Sequence, residues 1–163
     1  MGVKNFLIEG VSGTGKTTVC HELRRRGYQA INGDRELAYQ GDPETGEPTD
    51  GVRHENHIWR VDRVKALVAD RDEKLTFFCG GSRNSDQFID LFDEVFVLEV
   101  DLDTLNQRLD ERSGDEFGHS GEQREIVLQM HRTREGMTSG GTVIDATAPL
   151  PSVVDDILAR CLR

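Results

Sequence analysis

The sequence predicts an α/β fold in which helices cover both faces of a parallel β-sheet. Five short apolar segments alternate with stretches of helical periodicity, which is the pattern of successive strand–helix units. The segment at residues 95–100 is nearly continuous in apolar residues, as expected of a parallel strand buried on both sides. With 163 residues, the chain can build one hydrophobic core but not two ordinary domains. We therefore predict a single domain over residues 1–163.

The first apolar segment, residues 5–9, leads into the motif Gly-Val-Ser-Gly-Thr-Gly-Lys-Thr at residues 10–17, followed by a helical pattern. This motif matches G-x-x-x-x-G-K-[ST] at every fixed position. Glycines let successive backbone N–H groups converge on a phosphate, and the helix N-terminus adds the positive end of its dipole. Lys16 is predicted to reach the β- and γ-phosphates of ATP, and the Thr17 hydroxyl to ligate Mg²⁺. The predicted nucleotide-binding residues of this stretch are Gly10, Ser12, Gly13, Thr14, Gly15, Lys16, Thr17 and Thr18.

The second predicted strand, residues 28–31, is followed by Asn32, Gly33 and Asp34. Ligands of parallel α/β sheets bind at the carboxyl ends of the strands, where Asp34 is expected to lie. Its carboxylate could help to hold Mg²⁺, or accept the proton of an acceptor hydroxyl that attacks the γ-phosphate. Alternatively, Asp34 caps a short helix over residues 35–39.

The segment from about residue 34 to residue 70 is predicted to be an insertion on the acceptor side of the sheet. Residues 41–52 contain three glycines and two prolines, which predicts a loop. A helix is expected next, with an apolar stripe formed by Ile58, Val61, Val64 and Val68. Three other side chains fall off this stripe and could line an acceptor pocket or be ordinary packing and surface residues: His54, His57 and Trp59.

The third predicted strand, residues 75–79, runs into Gly80 and Gly81, which permit a ligand to approach the backbone closely. Arg83 could bind an anionic group of the acceptor or the transferred phosphoryl group, or belong to a turn before a short capped helix. Further on, Asp101 is predicted to cap a helix. A glycine-rich loop over residues 113–121 suits a lid that closes over the triphosphate, because pairs of arginines flank it. Those arginines are Arg108, Arg112, Arg132 and Arg134.

Charge and composition exclude several classes of protein. The net charge is −10, and the one tight basic run, residues 24–26, lies where a helix is predicted to end, so we expect no nucleic-acid partner. No apolar run approaches the roughly 18 residues of a membrane span, and the N-terminus does not resemble a signal peptide. We therefore expect a cytoplasmic protein with no membrane partner. The three cysteines, Cys20, Cys79 and Cys161, are expected to be reduced core thiols.

Taken together, these features resemble the P-loop small-molecule kinases, the group that contains nucleoside monophosphate kinases, shikimate kinase and gluconate kinase. The resemblance covers nearly the whole chain in element order and size, while residues 5–24 match specifically. It implies a three-layer α/β/α P-loop NTPase fold with a five-stranded parallel sheet in the order 2-3-1-4-5 and a short lid. It also implies ATP and Mg²⁺ as cofactors.

The resemblance implies roles for individual residues as well. Asp34 lies where shikimate and gluconate kinases have an acidic residue, and it is expected to act in catalysis together with Lys16 and Arg112. Arg108 and Arg112 resemble the family's arginines at the nucleotide base and the lid. The implied acceptor-binding residues are Asp34, Arg53, Gly80, Gly81, Arg83 and Arg132. Ser82 replaces the usual third glycine of the acceptor loop, and this difference argues against shikimate itself.

The sequence thus predicts transfer of the γ-phosphoryl group of MgATP to a small-molecule acceptor, at a hydroxyl. Residues 34–55 carry seven acidic side chains and two arginines, which favours a neutral or amine-bearing acceptor or else simply forms a solvated surface. One alternative is a nucleoside or nucleoside monophosphate kinase. Another is a nucleotide-binding regulatory module with little or no transfer. The protein is expected to be a monomer or a weak dimer.

Overall fold

The computed structural model describes residues 4–11, 14–70, 72–111, 121–133 and 141–162. Within these ranges, the strands are β1 (Lys4–Glu9), β2 (Gln29–Asn32), β3 (Ala38–Gln40), β4 (His57–Trp59), β5 (Leu75–Cys79), β6 (Glu94–Glu99) and β7 (Thr142–Asp145). The α-helices of the same ranges are α1 (Lys16–Arg25), α2 (Gly33–Glu36), α3 (Val61–Ala69), α4 (Leu102–Asp110), α5 (Gly121–Thr133) and α6 (Leu150–Cys161). Among the described helices, none is long and apolar enough to cross a membrane.

Five of these strands form one parallel sheet in the order β2-β5-β1-β6-β7. In chain order these are the second, third, first, fourth and fifth strands of that sheet, so the predicted order 2-3-1-4-5 is confirmed. β1 lies at the centre, between β5 and β6. The loop that follows β1 therefore leaves the middle of the carboxyl edge, between the ends of β5 and β6, with β2 beyond β5.

Helices cover both faces of the sheet, which confirms the three-layer arrangement. Alternate residues of β1 point to opposite faces: Phe6 and Ile8 join the larger core, and Leu7 joins the smaller one. The larger core includes buried side chains of α1, α4, α5 and α6. The smaller core lies against α3 and contains Leu7, Leu37, Trp59, Val64, Phe78, Phe88 and Phe92.

The acceptor-side insertion differs from the sequence-based prediction. The prediction of a helix over residues 35–39 is wrong. Helix α2 ends at Glu36, and residues 38–40 form β3, which pairs antiparallel with β4. The helix expected from Ile58 begins only at Val61, since Ile58 belongs to β4. Residues 85–91 form two short 3₁₀ turns instead of one capped helix. Strands of three residues are too short to show a periodicity, and their apolar positions were absorbed into the neighbouring helical patterns.

Other local predictions are confirmed. Asp101 caps α4 by accepting a 2.7 Å hydrogen bond from the Thr104 N–H. The three cysteines are buried free thiols. The basic run at the end of α1 is held by acidic partners: Arg24 pairs with Glu36 at 2.9 Å, Arg25 with Glu22 at 2.6 Å and Arg26 with Asp155 at 2.6 Å. This run is therefore a paired helix end.

Candidate active site

The glycine-rich loop is closed by its own side chains. Thr14 is buried, and both its N–H and its hydroxyl donate to the carbonyl oxygen of Val11, at 3.2 and 2.8 Å. A Cβ atom at Gly10 would lie 2.4 Å from the Thr14 hydroxyl oxygen, so the turn requires glycine there. Gly15 precedes α1 with a φ of 100°, a conformation that also favours glycine. The Lys16 ammonium folds back over the loop and donates to the Gly10 carbonyl oxygen.

The first turn of α1 leaves its hydroxyl side chains accessible. Thr17 and Thr18 are exposed, and neither is engaged in a helix cap. Hydroxyl and carboxylate oxygens are the ligand type that Mg²⁺ prefers, so Thr17 fits the predicted metal-binding role. Ser12 and Gly13, which were also predicted to bind nucleotide, lie outside the described residues.

Arg108 of α4 bridges the glycine-rich loop and the segment that follows β7. Its Nη1 donates to the Thr14 carbonyl oxygen at 3.0 Å, and its Nη2 donates to the Ala146 carbonyl oxygen at 2.8 Å. The guanidinium group thus lies between the phosphate-binding loop and the segment that follows β7. The contact with the loop is compatible with the predicted nucleotide-binding role of Arg108.

Asp34 lies at the carboxyl edge of the sheet, directly after β2, as predicted. Its Oδ1 is 2.9 Å from Nε2 of His57 and 3.4 Å from the backbone nitrogen of Gly81. Among the described residues, no group is hydrogen-bonded to Oδ2. The alternative role, capping of a helix over residues 35–39, does not apply because that helix is absent and Asn32 precedes α2.

Electrostatics keep this carboxyl group ionised. Burial raises the pKa of Asp34, but the hydrogen bond from His57 and the positive charge of Lys16 lower it more, so that the net shift is below the ordinary value. Asp34 is therefore close enough to Lys16 for the charge of the ammonium group to act on the carboxylate.

Glycines let the backbone close tightly around Trp59. A Cβ atom at Gly33 would lie 2.1 Å from the Trp59 ring, and one at Gly80 would lie 2.9 Å from it and 2.7 Å from Asp34 Oδ1. Trp59 itself is 1% exposed and stacks on Phe88, with ring centroids 5.7 Å apart. The indole is thus core that supports the site from beneath, and the sequence-based idea that it lines a pocket is wrong. In contrast, a Cβ atom at Gly81 would meet nothing within 4 Å.

A buried asparagine fixes the strand that carries His57, and sequence reasoning missed it. Asn84 is 2% exposed; its Oδ1 accepts from the Trp59 N–H at 3.1 Å, and its Nδ2 donates to the Trp59 carbonyl at 3.0 Å. The Arg83 N–H donates to the His57 carbonyl oxygen at 2.9 Å. The loop after β5 is therefore bound to β4 along its backbone. No periodicity identifies Asn84, because its partners are 25 residues away in the chain.

Of the other arginines predicted to bind ligands, Arg53 and Arg132 lie among the described residues. Arg53 is exposed and pairs with Glu55 at 3.6 Å. Arg132 is exposed in the last turn of α5. Within the described part of the chain, neither arginine forms a hydrogen bond or an ion pair with Asp34. Arg112, Arg134 and the predicted lid up to residue 120 lie outside the described residues.

Solved structures of several kinases share this fold. A shikimate kinase from Acinetobacter baumannii in complex with shikimate has a TM-score of 0.63 and 17% sequence identity, over 98% of this chain and 93% of that one. A sugar kinase from Janibacter sp. HTCC2649 has a TM-score of 0.58 and 19% identity, over 96% and 93%. A deoxyadenosine kinase from M. mycoides with bound dATP has a TM-score of 0.54 and 16% identity, over 97% and 99%. At such identities the likeness establishes the fold.

Sequence comparison identifies the family. No curated protein matches the chain. Residues 7–128, which include the phosphate-binding loop, Asp34, His57 and Arg108, match the family described as AAA domain. The expected P-loop fold of the small-molecule kinases is thus confirmed by both the sheet order and these matches. The chain belongs to the AAA domain family.

Proposed function

We propose that the protein is an ATP- and Mg²⁺-dependent kinase that transfers the γ-phosphoryl group to a hydroxyl of a small metabolite. The observation that carries this proposal is the position of Asp34. An ionised carboxylate lies at the carboxyl edge of the sheet, within the electrostatic influence of the phosphate-binding Lys16. A carboxylate at this edge can orient an acceptor hydroxyl beside the bound phosphates and accept its proton.

In this proposal, one group of residues binds the nucleotide and Asp34 orients the acceptor. Backbone N–H groups of the loop and Lys16 hold the phosphates, and Arg108 lies on the nucleotide side of the loop. The Thr17 hydroxyl and Asp34, directly or through water, would hold Mg²⁺, which when bound neutralises charge on the phosphates. Asp34 also orients the acceptor hydroxyl toward the γ-phosphorus.

In the transfer step, the acceptor oxygen forms a bond to the γ-phosphorus. The bond from that phosphorus to the β–γ bridging oxygen breaks, so ADP leaves with the electron pair. The hydroxyl proton passes to Asp34 and from there to solvent. Because the transition state of phosphoryl transfer is loose, the carboxylate mainly has to position the hydroxyl, and a low pKa does not prevent this role.

The charges around Asp34 favour a neutral or amine-bearing acceptor. Arg53 is paired with Glu55, and the Arg60 guanidinium lies over the Tyr39 ring, 4.7 Å from its centroid. These two cations of the insertion are thus engaged elsewhere, while Asp34 itself repels anions. A phosphorylated or carboxylated acceptor would need a bidentate cation at this edge.

A nucleoside is the second candidate, because it offers a neutral hydroxyl that suits the same edge. The deoxyadenosine kinase that shares the fold makes this class worth testing. A nucleoside monophosphate is disfavoured by the charge around Asp34. The protein is proposed to act as a single domain, as a monomer or weak dimer.

The test is release of ADP from MgATP, with and without neutral sugars, amino sugars, nucleosides, nucleoside monophosphates and sugar acids. We expect one neutral or amine-bearing class to stimulate release. Lys16→Met is expected to abolish the stimulated rate and leave the far-UV circular dichroism spectrum unchanged. Normal turnover by Lys16→Met would contradict the proposal, and stimulation by a monophosphate would contradict the acceptor assignment. Tight ATP binding with no stimulation by any class would instead indicate a regulatory module.

A further inference from the structure

We propose that His57 is a positioning residue for the phosphoryl acceptor, an inference that rests on the proposed kinase function. Its imidazole donates from Nε2 to Oδ1 of Asp34 and leaves Oδ2 of the same carboxylate to meet the acceptor hydroxyl. His57 itself touches neither nucleotide nor acceptor in this scheme. It acts through Asp34.

The geometry of the carboxylate supports a division between its two oxygens. His57 Nε2 and the Gly81 N–H both lie on Oδ1, at 2.9 and 3.4 Å. Two contacts to one oxygen fix the rotation of the carboxylate group, so the direction of Oδ2 is fixed as well. Both side chains are partly accessible, with 31% of His57 and 39% of Asp34 exposed. A ligand at the carboxyl edge of the sheet can therefore reach the pair, whereas a fully buried pair would be inaccessible.

The backbone of His57 is held by hydrogen bonds to neighbouring segments. Gln40 of β3 pairs with His57 across the small antiparallel sheet, and the Arg83 N–H donates to the His57 carbonyl oxygen. Two residues further on, the buried Trp59 is bound by Asn84 through both of its backbone groups. His57 thus has little freedom to move away from Asp34. Sites whose supporting shell is rigid hold a reacting group in the productive geometry with little loss of entropy at the moment of reaction.

The charge environment gives His57 a role that Lys16 cannot fill. The groups that face Asp34 are Lys16 from α1, His57 from β4, the buried Cys79 thiol at the end of β5 and the Gly81 N–H. In the proposed function Lys16 is drawn to the phosphates once nucleotide binds. Among the described residues, His57 is then the side-chain donor that orients Asp34, through its 2.9 Å contact with Oδ1. Its hydrogen bond lowers the pKa of Asp34, against the effect of burial.

The first arm of the test measures this pair directly, by ¹³C NMR titration of the Asp34 carboxyl carbon in the full-length protein. In His57→Ala we expect the midpoint to move to higher pH, because the hydrogen bond is lost while burial remains. His57→Gln should return it toward the wild-type value, because its amide N–H can reach the place of Nε2. His21→Ala, which removes an exposed histidine of α1, is the matched control and should leave the midpoint unchanged.

The second arm measures turnover with the acceptor class found in the ADP-release experiment. His57→Ala is expected to lower kcat by about 10- to 100-fold with the KM for ATP within about twofold, as misplacement of a catalytic group does. The acidic limb of its kcat/KM profile should move to higher pH, in parallel with the Asp34 midpoint. His57→Gln should recover most of kcat. Exposed ion pairs contribute little to stability, so these variants should fold, and His57→Asn, whose amide falls short of Asp34, can replace any alanine variant that does not.

The outcomes separate the two proposals. An unchanged Asp34 midpoint in His57→Ala, or a raised midpoint with wild-type kcat, would overturn the role of His57 while the kinase assignment stood. No stimulated ADP release from the wild-type protein would instead overturn the proposed function, and the acceptor role of His57 with it. A raised midpoint, a lowered kcat and rescue by glutamine together would support the inference.

Discussion

Replacing Gly80 with alanine is expected to destabilise the protein and disturb Asp34 at the same time. The new Cβ atom would lie 2.7 Å from Asp34 Oδ1 and 2.9 Å from Cζ2 of Trp59. Real Cβ atoms do not approach other heavy atoms so closely, so a neighbour must move. The carboxylate can rotate away, but the indole has little room because it is 1% exposed and stacked on Phe88.

The magnitude follows from two independent costs. Gly80 has a φ of 141°, a conformation that L side chains rarely adopt, and such backbone strain costs about 1–3 kcal/mol. Overpacking against the indole costs about 1–3 kcal/mol more. The total of about 2–6 kcal/mol is a large share of the roughly 5–15 kcal/mol by which a domain is stable. For a chain of this length it corresponds to a fall in Tm of about 10 °C.

The assay is thermal unfolding followed by circular dichroism, with Gly81→Ala as the matched control. A Cβ atom at Gly81 meets nothing within 4 Å, so its Tm should lie within about 2 °C of the wild type. If Asp34 has the proposed role, turnover of Gly80→Ala should also fall, because the carboxylate is displaced from its contact with His57. Equal Tm values for the two alanine variants would refute this account of the packing between Gly80 and Trp59.

Two further predictions concern buried polar groups and acid stability. Asn84→Ala should lower the free energy of unfolding by about 2–4 kcal/mol in a urea titration, because it leaves the buried Trp59 N–H and carbonyl without partners; an unchanged midpoint would show that water replaces the amide. Glu22 forms hydrogen bonds to Arg25 and Arg26 that lower its pKa from 4.5 to about 2. Since the folded-state pKa lies below the unfolded one, its stabilising effect is present above about pH 4.5 and is lost as the pH falls toward 2. Glu22→Gln should therefore have a lower Tm than the wild type at pH 7 and nearly the same Tm at pH 2, and a constant difference would contradict this assignment.

The strand, glycine-rich loop and helix at the start of the chain could be predicted from the sequence because the motif is local. The spacing from Gly10 to Thr17 is set by how a backbone wraps one phosphate, so a single motif specifies strand, loop and helix together. The position of Asp34 could be predicted as well, since the residue directly after a parallel strand lies at the carboxyl edge of the sheet. The order of the sheet followed from the resemblance to small-molecule kinases.

The acceptor side could not be predicted, because its geometry depends on contacts between distant residues. His57 meets Asp34 across 23 positions of the chain, and Asn84 meets Trp59 across 25. β3 and β4 have three residues each, too few for an alternating pattern to be distinguished from a helical one. Trp59 of β4 packs closely against Gly33 and Gly80, a fit that exists only when three separate segments of the chain are assembled.

That fit has an evolutionary consequence. Because a side chain at Gly33 or Gly80 would clash with the Trp59 indole, we expect the three positions to vary together in evolution. A relative with a large aromatic ring at position 59 should have glycine at positions 33 and 80. A relative with a small side chain at position 59 can have other residues there. The histidine that faces Asp34 is two residues from that ring on the same short strand. A lineage could therefore exchange His57 for another side chain, and so change what holds the Asp34 carboxylate, without disturbing the packing that holds the strand in place.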